Sequence, residues 1–245
     1  MRCACVLSEV NMMKAKIIVS ALALVIAGQA QAQTPFSDVY LSVSGGTSWS
    51  QDYSGGAVLG PSSGGGFAGA TQPFSIDFNR GHNFGGAIGM ALPWSMRGEI
   101  EVTRYGIGVS EFKINDAKST GEHGSVRTTT AMLNLYRDFD LGTVRPYIGA
   151  GIGWGRQGYD NVGGNVGGTA NTLNSSTDGG AWQLLAGVAV PINSKLEFTV
   201  GYKYLDLSSV KASGAYVFGG GTGTETLSNV ESTIQSVSAG FRFKF

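Results

Sequence analysis

Thiol chemistry is the first thing this chain does without. Its 245 residues include two cysteines, Cys3 and Cys5. Both fall in a leader that the sequence marks for removal, so disulfides and thiolate metal sites are excluded from the remainder. Charge is scarce as well. Asp, Glu, Lys and Arg make up 14%, against about 25% for an ordinary soluble domain. The formal net charge is zero. That removes the basic excess expected of a nucleic-acid binder and the acidic excess of a disordered tail. Beyond the leader, no apolar run approaches the ~18 residues of a membrane helix.

The leader has the three parts of a secretory signal. Lys14 and Lys16 supply the charged region, IIVSALALVIA (Ile17 to Ala27) the apolar run, and Ala30-Gln31-Ala32 the small-x-small cleavage pattern. Cleavage is expected after Ala32, which divides the chain into a leader (1–32) and one domain (33–245). Translation starting at Met12 or Met13 would put the charged region at the very beginning.

What is abundant is glycine, 39 residues of it, together with alternation. In the stretch TIQSVSAGFRFKF, Val237, Ala239, Phe241, Phe243 and Phe245 fall on one face. Ser236, Ser238, Gly240, Arg242 and Lys244 fall on the other. A period of two is a strand with one apolar and one polar face. The same pattern recurs upstream: Leu41 and Val43; Phe84, Ile88 and Met90; Ile100 and Val102; Leu133 and Leu135; Ile148, Ile152 and Trp154; Leu184 and Val188; Phe198 and Val200. This makes eight strands. Their connections alternate long and short. Trp49 to Asp77, Gly108 to His123, Arg156 to Asp178 and Ser208 to Ser232 are expected to be long polar loops. Pro93 to Met96, Asp140 to Gly142 and Ile192 to Ser194 are expected to be tight turns.

A soluble sandwich has no reason to keep every second connection short. Membrane barrels do, with short turns on the periplasmic side and long loops outside. The fold expected is therefore all-β: an eight-stranded antiparallel up-and-down transmembrane β-barrel in contact with outer-membrane lipid. The glycines suit it. Gly85, Gly89, Gly149, Gly151, Gly153, Gly187, Gly201 and Gly240 all occupy the inner face, where eight strands leave room for little more than side chains. Trp94, Tyr136, Phe139, Trp154, Trp182, Tyr204 and Phe245 lie near the expected strand ends, where interfacial aromatic girdles belong.

The runs FGGAIGM, AMLNLYRDF, PYIGAGIGWG, LEFTVGYKYLDL and VSAGFRFKF resemble the OmpA-like and opacity-protein class of eight-stranded outer-membrane barrels, over nearly all of 33–245. The resemblance implies that the barrel-insertion machinery reads the terminal aromatic strand, with Phe241, Phe243 and Phe245 as its signal. The added peptidoglycan-binding domain of OmpA itself has no counterpart in these runs.

Chemistry-bearing constellations are few. His123-Gly124-Ser125 resembles the His-x-Ser pair of lipid A deacylases, but no carboxylate is placed to orient the histidine. The alternating glycines of Gly149 to Gly155 repeat at two, which is a strand face and not a phosphate loop. No catalytic, cofactor or metal site is expected. The inward face carries Glu99, Glu101 and Glu197 with Arg145, Lys203, Arg242 and Lys244. Lone charges in a narrow lumen are costly, so an ion network is expected, pairing Glu99 or Glu101 with Arg145 or Arg242, while Asn134 and Tyr136 fill hydrogen-bond gaps. The function expected is a surface scaffold, not an enzyme, whose four exposed loops meet host or matrix molecules and not nucleic acid. A small porin is the alternative, and a lipid A-modifying enzyme a third reading.

Overall fold

The computed structural model describes residues 39–62, 69, 71–121, 124–166, 169–218 and 221–245. The expected leader 1–32 and His123 lie outside them. The described strands are β1 (Val39–Ser50), β2 (Tyr53–Ser62), β3 (Thr71–Phe78), β4 (Gly81–Leu92), β5 (Met96–Ile114), β6 (Ala117–Lys118), β7 (Ser125–Asp138), β8 (Arg145–Val166), β9 (Thr169–Pro191), β10 (Leu196–Phe218) and β11 (Gly221–Lys244). All pair antiparallel in one sheet.

Eight of them close a ring in the order β1-β4-β5-β7-β8-β9-β10-β11. The seam joins β11 back to β1, from Tyr40 opposite Lys244 to Ser50 opposite Ile234. Within the eight-strand ring, closure leaves no free edge, which is what allows a sheet to sit in lipid. The inner and outer faces follow the alternation of the sequence. Glu99, Glu101 and Thr103 are buried inside, while Val102, Leu133 and Ile152 are exposed outside.

Three tight turns mark one end. Trp94 and Ser95 take positive φ between β4 and β5 (62° and 58°). The Gly142 N–H donates to Asp140 Oδ1 (2.9 Å) in the β7–β8 turn. Asn193 Oδ1 accepts from the amides of Lys195 and Leu196 (both 2.9 Å) in the β9–β10 turn.

The opposite end departs from expectation. The segments read as long loops are largely strand. β8 to β11 continue through them as two long hairpins, each strand 22 to 24 residues long. Where β1 and β4 stop, β2 and β3 take their places in the wall. β2 pairs with β11 (Leu59 opposite Glu225) and β3 with β5 (Ile76 opposite Phe112). The physical reason is pairing: glycine- and serine-rich backbone becomes strand when a neighbouring strand satisfies its hydrogen bonds. At ~3.3 Å per residue, the 23 residues of β10 extend roughly 75 Å. Tilted by about 40°, they rise roughly 57 Å, more than twice the ~25 Å of a barrel's apolar band.

Candidate functional site

Three polar clusters fill the turn end of the lumen. In the first, the Arg97 guanidinium donates from Nε to Asp138 Oδ2 (2.6 Å) and from Nη1 to the Tyr40 hydroxyl (2.9 Å). It sits over three rings, with its carbon 4.3 Å from the centroid of Tyr136, 5.4 Å from Tyr147 and 5.6 Å from Tyr40. Glu99 accepts from the hydroxyls of Tyr40 (2.9 Å) and Tyr136 (3.0 Å), with Arg97 Nη1 at 3.8 Å. In the second, Glu197 gathers Arg145 (2.7 Å), Arg242 (2.8 Å) and Lys244. In the third, Glu101 takes Lys203 Nζ (2.5 Å) and the Thr103 hydroxyl (2.9 Å). Gln183 donates to Asn134 Oδ1 (2.6 Å), and Asn134 Nδ2 donates to the Tyr136 hydroxyl (3.3 Å). A polar cavity of about 80 Å³ remains among these groups, room for a few waters.

The inward glycines make this possible. A Cβ at Gly89 would lie 2.3 Å from Tyr40 Cζ, one at Gly149 2.5 Å from Tyr136 Cδ1, and one at Gly187 2.4 Å from the Tyr147 hydroxyl. Each tyrosine that frames Arg97 thus lies across a glycine.

Two expectations need correcting. Neither Glu99 nor Glu101 pairs with Arg145 or Arg242; Glu197 takes both arginines. Partners inside a barrel are chosen by height, and the stagger of the strands sets height. Glu197 and Arg242 are directly opposite on β10 and β11. Arg97, buried at the centre of the first cluster, was missed, although it shares the inward phase of Glu99 and Glu101. The aromatic girdle also changes. Tyr136 is an interior residue. Trp154, Trp182 and Tyr204 are outward but mid-strand, with Trp182 and Tyr204 rings 5.6 Å apart. Phe241, Phe243 and Phe245 face outward.

Above the polar clusters apolar side chains predominate in the lumen, with Thr128, Thr130 and Gln157 buried among them. Tyr105, Ile107, Met132, Leu205, Leu207 and Ile234 pack in one group. Phe74, Ile76, Val109, Phe112, Val162 and Leu173 pack in a second, inside the hairpin end. No group of three or more metal-ligating side chains occurs among the described residues. Ser125 is half-buried at the first position of β7.

A closed eight-strand ring with an apolar exterior and a filled lumen is the architecture of an outer-membrane barrel, and the outer membrane protein beta-barrel domain matches residues 18–243. The chain belongs to that family. Two solved members of the outer-membrane barrel fold are similar in structure: Neisserial surface protein A (TM-score 0.50, 18% identity, covering 84% of this chain and 97% of that one) and OprG from Pseudomonas aeruginosa (0.55, 14%, 85% and 97%). At these identities the likeness is one of fold. An uncharacterized Brucella abortus protein is 32% identical over 132 residues, 47% of this chain and 46% of that protein, and a Brucella suis protein matches equally. The chain spans about half the length of the curated relatives it matches.

Proposed function

We propose that this outer-membrane barrel is a closed scaffold, whose hairpin end projects from the cell and contacts molecules outside it, host or matrix components among them. One observation carries the reading: the lumen is filled along its height, by ion pairs toward the turns and by packed apolar side chains toward the hairpins. A filled stalk has no value for conduction, but it holds exposed tips rigidly, and preorganised surfaces bind at lower entropic cost. Bacterial barrels place short turns in the periplasm, which directs the hairpins outward. The outward Phe241, Phe243 and Phe245 suit the barrel-insertion machinery. On this reading Ser125 has no catalytic role, and Ser125→Ala leaves lipid A acylation unchanged. The deciding measurement is conductance of the purified barrel in a planar bilayer, which should record no steady channels. Stable openings of porin size would overturn the scaffold and favour a solute-passing pore.

A further inference from the structure

Where the outward apolar series on β4, β5 and β7 ends, the barrel exterior carries a recess of about 510 Å³. Its floor is backbone, because Gly106 and Gly108 both point outward and have no side chain. A Cβ at Gly106 would come within 3.0 Å of the His82 ring, so the glycine lets the imidazole lie against the wall. Arg80, Arg104 and Arg127 stand around that floor. Register fixes two of them: Phe84 lies opposite Arg104, and Gly106 lies between His82 on one side and Arg127 on the other. Arg127 reaches Asp160 (2.8 Å), whereas Arg80 and Arg104 have no carboxylate partner among the described residues. Toward the turn end, the wall beyond the recess becomes apolar and exposed, through Phe84, Val102 and, one row further, Leu133.

We propose that this recess binds the phosphate-bearing headgroup of a lipid in the leaflet around the hairpin end, with the acyl part lying on Phe84, Val102 and Leu133. Guanidinium forks match phosphate oxygens in geometry and charge. Arginines at the rim of an apolar band are what such a headgroup neutralises. His82 lies over Gly106, so it is at half-buried Gly108 that a phosphate can approach backbone which a larger side chain would cover. Among the described residues, Asp160 occupies Arg127 and leaves Arg80 and Arg104 without a carboxylate.

Native mass spectrometry of the detergent-released barrel tests this, with dilauroyl phosphatidic acid and dilauroyl phosphatidylcholine as probes and inorganic phosphate as competitor. The barrel should retain one phosphatidic acid in preference to phosphatidylcholine. Arg104→Gln and Arg80→Gln should each weaken retention roughly tenfold, the scale of one charge-assisted hydrogen bond. Gly108→Leu should block the site with all charges in place. Arg156→Gln, on the outer face of β8, should leave it intact. A heat-modifiable gel shift confirms that each variant is folded. Equal retention of the two lipids, or retention unchanged in Arg104→Gln and Gly108→Leu, would overturn the site. Competition by inorganic phosphate as strong as by phosphatidic acid would overturn the lipid as its source.

Discussion

The Tyr40 hydroxyl accepts from Arg97 Nη1 and donates to Glu99 Oε2, both at 2.9 Å. One phenol thus joins a buried cation to a buried anion that are themselves 3.8 Å apart. Glu99 needs no direct arginine fork, because two phenols and a nearby guanidinium satisfy it.

Arg97 is the group on which this arrangement turns. Removing one partner of a buried ionic cluster costs about 3–5 kcal/mol, since it strands the other. Arg97→Ala should lower the unfolding free energy by that much, read from a urea titration of the barrel in lipid vesicles. Arg97→Lys should recover only part of it, because an ammonium cannot reach Asp138 and Tyr40 with a planar fork while lying over Tyr136. Full recovery by lysine would assign the effect to charge alone.

The glycines facing these tyrosines give a second test. Gly89→Ala puts a methyl 2.3 Å from Tyr40 Cζ, and overpacking of this kind costs about 1–3 kcal/mol. At Gly86, three residues away and on the outer face, the new Cβ meets only Ser42 O at 3.5 Å. Gly86→Ala should be neutral or mildly stabilising. A matched loss in the two variants would mean that strand entropy, and not the fit to Tyr40, governs both positions.

On the lipid face the cost of a charge should depend on depth. Val200 is outward within the apolar series of β10, whereas Thr47 is outward near the hairpin-side end of β1. Val200→Arg should destabilise by ~2–4 kcal/mol, and Thr47→Arg by ~0–1 kcal/mol. Equal shifts in a urea titration would contradict the depth assigned to these two positions.

The face of each strand was legible, and the reason is local. Glu101 and Val102 differ by one residue and point to opposite sides, so the pattern of two encodes the side directly. Two things were not legible. The first was the hairpin end. Phe74, Ile76 and Phe78 do alternate, but Pro73 and the flanking glycines and serines hide them. Their partner β2, YSGGAVLGPS, has no comparable apolar face and owes its strand to the free edge of β11. The second was the choice of ion pairs. Glu197 meets Arg145 and Arg242, and Glu101 meets Lys203, because of stagger around the ring, a property of closure that no single strand carries.

Outside the membrane band, a surface cluster should respond to acid. Lys113 Nζ lies 2.9 Å from both Glu111 Oε1 and Asp77 Oδ2, and Lys118 Nζ lies 3.0 Å from Glu111 Oε2. The hydrogen bonds from Lys113 and then Lys118 hold the Glu111 carboxyl below its ordinary value of 4.5. A lowered folded-state value contributes stability above the unfolded value and loses it as pH falls through the folded one. The bracing of β3, β5 and β6 should therefore weaken below pH 4.5. Hydrogen exchange at the Ser119 amide, which donates to Phe112 O (2.8 Å), should accelerate relative to the intrinsic rate at that pH. Glu111→Gln should show this faster exchange already at neutral pH, with little further change in acid. An acid response in Glu111→Gln identical to that of the unsubstituted protein would place its cause elsewhere.

Orientation is the last expected outcome. The β5–β6 turn uses Asn115 and Asp116 with positive φ (50° and 62°), both exposed at the hairpin end. The β7–β8 and β9–β10 turns present Leu141 and Ile192, exposed at the other end. Hairpins this long cannot be threaded back through a lumen packed with Met132, Leu205 and Ile234, so each end keeps to one side of the membrane. An epitope tag at Asn115 should bind antibody on intact cells. Tags at Gly142 or Asn193 should bind only after the outer membrane is permeabilised. Labelling of Gly142 or Asn193 on intact cells, with Asn115 silent, would invert the barrel and move the arginine-rimmed recess to the inner leaflet.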